Sequence, residues 1–234
     1  MKFGIQSVTR KLKYRWRTRV GRRSAPVLHR EQIGADWSEH VYFDLAEQQD
    51  WIRAFWGLDI PFRQCFERLN LNNVIEIGCG RGRHTAQCLD RVGQMTLVDI
   101  NETNIIACRE RFRDRSNIEF TITDGGSLPG IKDGSATAVF SYDAMVHFEA
   151  SDVIHYLAET HRVLCPGGRA LLHYSNYDQN PGGFYRDNPG HRNFFSERMM
   201  RHFADRAGFK VLEHKSFCWS GSEVATDAMI LLEK

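Results

Sequence analysis

The 234 residues are 42% hydrophobic and 12% aromatic, enough to bury a sizeable core as one globular domain with attachments. No apolar run nears the roughly 20 residues needed to cross a bilayer, and residues 1–30 lack the apolar middle of a secretory signal, which predicts a cytoplasmic protein. The net charge of +2 hides an asymmetry: ten Lys and Arg precede Glu31, leaving 21 Lys and Arg against 29 Asp and Glu in the remainder, a net −8.

The basic leader, "TRKLKYRWRTRVGRR", attracts phosphates or anionic lipid headgroups, and Leu12, Trp16 and Val20 at four-residue spacing form a narrow apolar stripe. It reads either as a solvated arm or as a contact to the inner membrane surface or a lipid-linked acceptor. Nucleic acid is not expected, because the body is acidic. The six cysteines (Cys65, Cys79, Cys88, Cys108, Cys165 and Cys218) are scattered singly, a pattern of reduced core thiols and not of zinc ligands or disulfides.

Beyond the arm, periodicity predicts helices over about Phe43 to Trp56 and Pro61 to Leu69. Short apolar runs then alternate with helical stretches: "NVIEIG", a helix from about Arg83, "MTLVDI", a helix from about Glu102, "IEFTIT", "ATAVFSY", a helix from about Ser151, and "GGRALLHYS". This alternation predicts βαβ units on a parallel sheet, an α/β fold. After an irregular stretch rich in Asn, Gly and Pro, Ser196 and Glu197 read as a helix start and Gly208 as its stop. "FKVLEHKSF" and "ATDAMILLE" then read as a closing hairpin. The organisation expected is a basic arm (1–30), a helical cap (31–72) and an α/β core (73–234) with a lid insertion at 176–195.

In such sheets ligands sit at the carboxyl ends of the strands, where the order reverses. "VIEIGCGRGRHT" ends one strand with Gly78, Gly80 and Gly82, which permit positive φ in a tight turn and expose bare backbone to a ligand. The dinucleotide pattern is G-x-G-x-x-G, whereas this loop reads E-x-G-x-G-x-G with Arg83 at the sixth place, which disfavours NAD and leaves another adenosine ligand. Asp99, in "TLVDIN", is placed to accept hydrogen bonds from both ribose hydroxyls. "TITDGGSLP" offers Asp124 and the backbone of Gly125 to the edge of an adenine.

The ordered set "VIEIGCGRG", "LVDI", "TDGGSLP", "AVFSYDAMVHF" and "HRVLCPGGR", from about Asn73 to Tyr174, resembles the class I S-adenosylmethionine-dependent methyltransferases. The resemblance implies a seven-stranded, mostly parallel, Rossmann-like sheet with a reversed final hairpin, helices on both faces and an N-terminal helical lid. It implies S-adenosylmethionine as cofactor, with Glu76, Gly78, Gly80 and Gly82 along its methionine part, Asp99 at the ribose and Asp124 with Gly125 at the adenine. Cys79, Ile100 and Ser141 complete that set. More loosely, "GADWSEHVYF" and "NPGHRNFFSERMM" resemble bacterial methyltransferases that modify sugars or lipid-linked glycans.

A sulfonium methyl is already electrophilic, so the protein must chiefly hold a nucleophile in line, about 3 Å from it. Trp37, Tyr42 and Tyr142 are candidate aromatic faces for the sulfonium and acceptor, or else core and lid packing. A hydroxyl acceptor calls for a base, and His147, after the fourth strand, and His191, in the irregular loop, are the candidates. His173, on a strand, reads as a buried structural histidine. Arg192 suits an anionic acceptor or a solvated loop. Asp143 is assigned to the acceptor side, and no metal is expected because Ser175 and Asn176 stand where a second carboxylate would be needed. The leading expectation is O-methylation of a sugar, lipid-linked glycan or similar hydroxylated small molecule. The alternatives are N-methylation of a small amine and a cofactor-binding module without catalysis.

Overall fold

The computed structural model describes residues 25–38, 40–218 and 224–234. The basic stretch up to Ser24, with its apolar stripe, lies outside the described residues. Seven strands, β1 (Asn73–Ile77), β2 (Gln94–Asp99), β3 (Ile118–Ile122), β4 (Ala136–Ser141), β5 (Leu164–Ser175), β6 (Lys210–Phe217) and β7 (Asp227–Glu233), form one sheet in the order β3-β2-β1-β4-β5-β7-β6. The first five are parallel, while β7 runs antiparallel between β5 and β6.

Strand alternation builds two apolar layers. Val74, Leu97, Ala138, Phe140, Leu171 and Leu231 point to one face, where they meet α3 (Gln49–Trp56), α4 (Pro61–Phe66) and α6 (Glu102–Arg111) through Phe55, Phe62, Phe66, Ile105 and Cys108. Their neighbours Ile75, Val98, Val139, Leu172 and Leu232 point to the other, against α7 (Ala150–Val163) and α8 (Glu197–Arg206) through Val153, Leu157, Met200 and Ala204. A strand buried on both faces reads as a continuous apolar run, which is why these segments stand out in the sequence.

Local chemistry sets several boundaries. Pro61 opens α4, Ser196 caps α8 by accepting from the Met199 amide at 3.4 Å, and Gly208 at φ 93° ends it. The helix expected over 43–56 is split into α2 (Tyr42–Leu45) and α3, because Gln48 adopts extended geometry between them. The helix expected to Leu69 ends at Phe66, and the one expected from about Arg83 is the short α5 (Thr85–Cys88) followed by a 3₁₀ turn. A further helix, α1 (Ala25–Asp36), crosses the boundary drawn at residue 30. Among the described residues no helix is long and apolar enough to cross a membrane.

The strand order reverses between β1 and β4, so a crevice opens at their carboxyl ends. The loops after β1, β2, β3 and β4 converge there, and α1 and α2 cover it.

Candidate functional site

The crevice is partly open to solvent and is lined by the loops after β1 to β4 together with α1 and α2. Its floor is the turn after β1. Gly78, Gly80 and Gly82 have φ of 72°, 52° and 78°, the left-handed region that favours glycine. A Cβ on Gly78 would lie 2.6 Å from that of Ala144, and one on Gly80 2.7 Å from Phe43 Cε1. Gly78, Cys79 and Gly80 line the crevice. Gly82 does not: its missing side chain makes room for the core residues Phe112, at 2.5 Å, and Cys108, at 3.3 Å. The missing side chains of Gly78 and Gly80 thus make room for the cleft residues Ala144 and Phe43, and that of Gly82 lets the loop pack on the core.

Glu76 is fully buried at the end of β1, with Oε2 accepting from the Thr85 hydroxyl and Oε1 without a partner among the described residues. Burial pushes its carboxyl up to about 8. Asp99 ends β2 and is buried too. Its oxygens accept from the amides of Gly80 (2.9 Å) and Asn101 (2.8 Å) and from Asn104 Nδ2 (3.2 Å), pinning the first loop to the second. Desolvation raises its pKa, and these donors oppose that rise.

Ile100 and Gly125 line the far end of the crevice with Thr123 and Tyr156. Asp124 does not point into it. Its Oδ1 is taken up by the Gly126 and Ser127 amides and the Ser127 hydroxyl, at 2.9–3.0 Å, closing its own turn. Ser141 is likewise withdrawn, donating to the Ile77 carbonyl at 2.9 Å and fastening β4 to β1.

At the other end stand Trp37, Tyr42, Asp143 and His147. Trp37 stacks on His147 with ring centroids 4.4 Å apart, and its buried Nε1 has no partner among the described residues. Tyr42 donates to Asp143 Oδ2, which also accepts from Arg83 at 2.8 Å. Burial works to raise the Asp143 pKa, but the Arg83 and Arg192 charges outweigh it and hold the carboxylate ionised. Asp143 has φ 56°, one of two non-glycine residues in the left-handed region among the described residues, and such strain marks over-determined positions. The other is His191.

The two are connected. The His191 side chain is exposed, but its main-chain oxygen lies 2.7 Å from His147 Nδ1. A carbonyl only accepts, so Nδ1 carries the proton and Nε2 holds the lone pair. Burial, reinforced by the Arg192 charge, lowers the His147 pKa to about 3, so the ring stays neutral. Arg192 is not in the crevice. It is buried against Asp227, at 2.6 Å, and donates to the Gly190 carbonyl at 2.5 Å. Asp227 also meets His173 Nε2 at 2.9 Å, and His173 Nδ1 accepts the amide of Asp143 at 3.1 Å. His173 is therefore structural, meeting the site through the backbone of Asp143 and the ring of Tyr142. Tyr142 touches the crevice, but its ring is stacked on Phe62 and its hydroxyl donates to the Phe55 carbonyl at 3.1 Å, so most of it belongs to the core.

Ser175 and Asn176 are spent on the loop, Ser175 on the Asn193 carbonyl (2.5 Å) and Asn176 on the Glu197 amide (2.8 Å). Sequence reasoning passed over Arg30, Phe43, Asn104 and Asp152, which also line the crevice. Arg30 was hidden in a run of basic residues, and the rest carry no motif. Arg83 was noticed only as a departure from the dinucleotide pattern.

Residues 74–168 match the methyltransferase domain family. Squalestatin hexaketide synthase clz14 of Cochliobolus lunatus is 31% identical over 123 residues, which is 46% of this chain and 4% of that protein. The chain thus spans a small fraction of the curated relatives it matches. Among solved structures, geranyl diphosphate C-methyltransferase from Streptomyces coelicolor, in complex with Mg2+, geranyl diphosphate and S-adenosyl-L-homocysteine, superposes with a TM-score of 0.65 at 14% identity, covering 90% of this chain and 99% of that one. An S-adenosylmethionine-dependent methyltransferase from Clostridium acetobutylicum gives 0.61 at 12% identity, covering 83% and 99%. At these identities the likeness is one of fold.

Proposed function

Starting from the chain as a member of the class I S-adenosylmethionine-dependent methyltransferases, we propose that it methylates a hydroxyl of a sugar, lipid-linked glycan or similar small molecule. The cradle fits the cofactor. Gly78 and Gly80 line the crevice with backbone where its amino-acid part would lie, the unpartnered Glu76 Oε1 suits an ammonium, and Asp99 suits a ribose diol. When bound, the cofactor supplies an electrophilic methyl on sulfur.

The observation that carries the hydroxyl reading is the fixed tautomer of His147. Its Nε2 accepts a hydrogen bond from an acceptor hydroxyl and turns the oxygen lone pair toward the methyl. With the His147 pKa lowered to about 3, the imidazole orients the hydroxyl more than it stores its proton. Asp143 accepts from a neighbouring hydroxyl, the Trp37 Nε1–H donates, and the Trp37 face gives a ring something to lie on. Two acceptors and a donor around an aromatic plane complement a polyol. His191 serves through its carbonyl.

N-methylation is the second reading, favoured by the ionised Asp143 among aromatic rings, a setting that also binds ammonium groups. The basic arm we read as an anchor to an anionic membrane surface from the cytoplasmic side, supported by nine Lys and Arg up to Arg23.

The test is transfer of labelled methyl from S-adenosylmethionine to a panel of free and lipid-linked sugars, small amines, RNA and protein. Label in hydroxylated acceptors that is lost in His147→Ala supports the reading. Label confined to amines favours the second, and label only in RNA or protein, or cofactor binding without transfer to any acceptor, overturns both.

A further inference from the structure

Arg30 is the cleft residue whose role the foregoing leaves open. It projects from α1, with Nη1 donating to the main-chain oxygen of Asp124 at 2.9 Å and Nη2 to the carboxylate of Asp152, buried in the first turn of α7. Its Nε is buried and has no partner among the described residues. The side chain lies directly over Gly125, where any Cβ would collide with its methylenes. Elsewhere α1 meets the cleft through the buried Ile33 and a few polar contacts. A Cβ on Gly34 would lie 3.3 Å from Ile100 Cγ2, Asn101 Nδ2 donates to the Gly34 carbonyl at 2.9 Å, and Asp36 pairs with Arg186 and Tyr185 in the loop after β5.

The cleft has a direction. The cofactor's methyl must face His147, Trp37 and Asp143, its amino-acid part falls at the glycine loop, and its diol at Asp99. The purine is then left the far end, formed by Ile100, Thr123, Gly125, Tyr156 and Arg30. A purine presents ring nitrogens that accept hydrogen bonds and a π face, and a guanidinium presents donors in one plane that also stacks. An unpartnered buried donor at that end matches a ligand that brings an acceptor.

We propose that Arg30 grips the purine of the cofactor through Nε and, by its bonds to Asp152 and Asp124, latches α1 shut, making α1 the gate through which the cofactor enters and leaves. The inference rests on the reading of this cleft as the cofactor site. Asn101 and Gly34 form the hinge-side contact, and the Asp36 pair ties the gate to the lid loop, so that cofactor and acceptor sides close together.

The experiment is stopped-flow binding of S-adenosylhomocysteine to the full chain, comparing wild type with Arg30→Ala, Arg30→Lys and Asp152→Asn. S-adenosylhomocysteine should leave Arg30→Ala roughly tenfold faster or more, with a smaller change in association rate. Arg30→Lys keeps the charge for Asp152 but loses the planar donors, and should also release quickly. Analogues with a purine ring nitrogen replaced by CH should leave wild type faster at one ring position, and Arg30→Ala should not distinguish that analogue. Unchanged dissociation from a folded Arg30→Ala overturns the proposal, and full rescue by Arg30→Lys overturns the purine grip. If Arg30→Ala does not fold, Asp152→Asn and the analogues on wild type decide in the same terms. Failure of wild type to bind S-adenosylhomocysteine would instead refute the cofactor reading itself.

Discussion

The two ends of the cleft are built differently. The floor that we read as the cofactor side comes from one stretch of chain, Gly78 to Asp99, in which a loop and the next strand end are bonded to each other. The acceptor end is gathered from Trp37, Tyr42, Asp143, His147 and the carbonyl of His191, elements far apart in the chain. Local backbone geometry shapes the first, while long-range ion pairs shape the second. The contrast implies that damage to the acceptor end can begin well outside it, whereas damage to the glycine floor is local.

The sharpest way to break the comparison is Asp227→Ala. Asp227 lies outside the cleft but holds Arg192 and His173, and removing it leaves Arg192 buried without its counter-charge. We expect a loss of about 3–5 kcal/mol, read by denaturant unfolding, as for other broken buried pairs. In whatever folds, acceptor turnover should fall further than S-adenosylhomocysteine affinity. Equal losses would mean that the two ends are not separately built. Next in size is Asp99→Ala, for which calorimetry should show S-adenosylhomocysteine binding weakened roughly 100-fold. His147→Ala should mirror it, lowering turnover roughly tenfold or more while leaving affinity for S-adenosylhomocysteine within about twofold. Weaker cofactor binding in that variant would assign His147 to the wrong end.

The smallest effect is in pH. Glu76 has its pKa raised from 4.5 to about 8, so between those values the folded chain holds a proton that the unfolded chain has released. Stability from this group therefore falls as pH rises through that window. An ammonium placed beside Oε1 relieves the penalty. Saturating S-adenosylhomocysteine should accordingly raise Tm by about 2–4 °C more at pH 8 than at pH 6, checked by calorimetry against Glu76→Gln, in which the difference should vanish.

Much of the cofactor floor was legible because its requirements are local. A strand end, a positive φ and a carboxylate at the next strand end leave Gly78, Gly80 and Asp99 in readable spacing. Legibility failed where the same residue type serves packing. Gly82 looks like its neighbours in sequence, yet what it accommodates is Phe112. Asp124 looks like an adenine ligand, yet Gly126 and Ser127, two and three residues on, absorb its Oδ1. At the acceptor end His147 and His191 both looked like bases, and nothing in their spacing told that one presents a ring and the other a carbonyl. Arg192 looked like an anion site until Asp227, at the start of the last strand, was found against it. The α1 helix went unread because it follows a basic run and carries little apolar periodicity.

Strand and helix alternation, the glycine turn and the carboxylate that ends β2 were determined by the sequence itself, because each is enforced within a few residues by backbone sterics, burial period or charge. Only the tertiary structure decided the tautomer of His147, the withdrawal of Arg192 and Tyr142 and the placing of Arg30 over Gly125. Each of these depends on which distant partner satisfies a buried polar group, and a buried donor or acceptor takes its role from the atom opposite it.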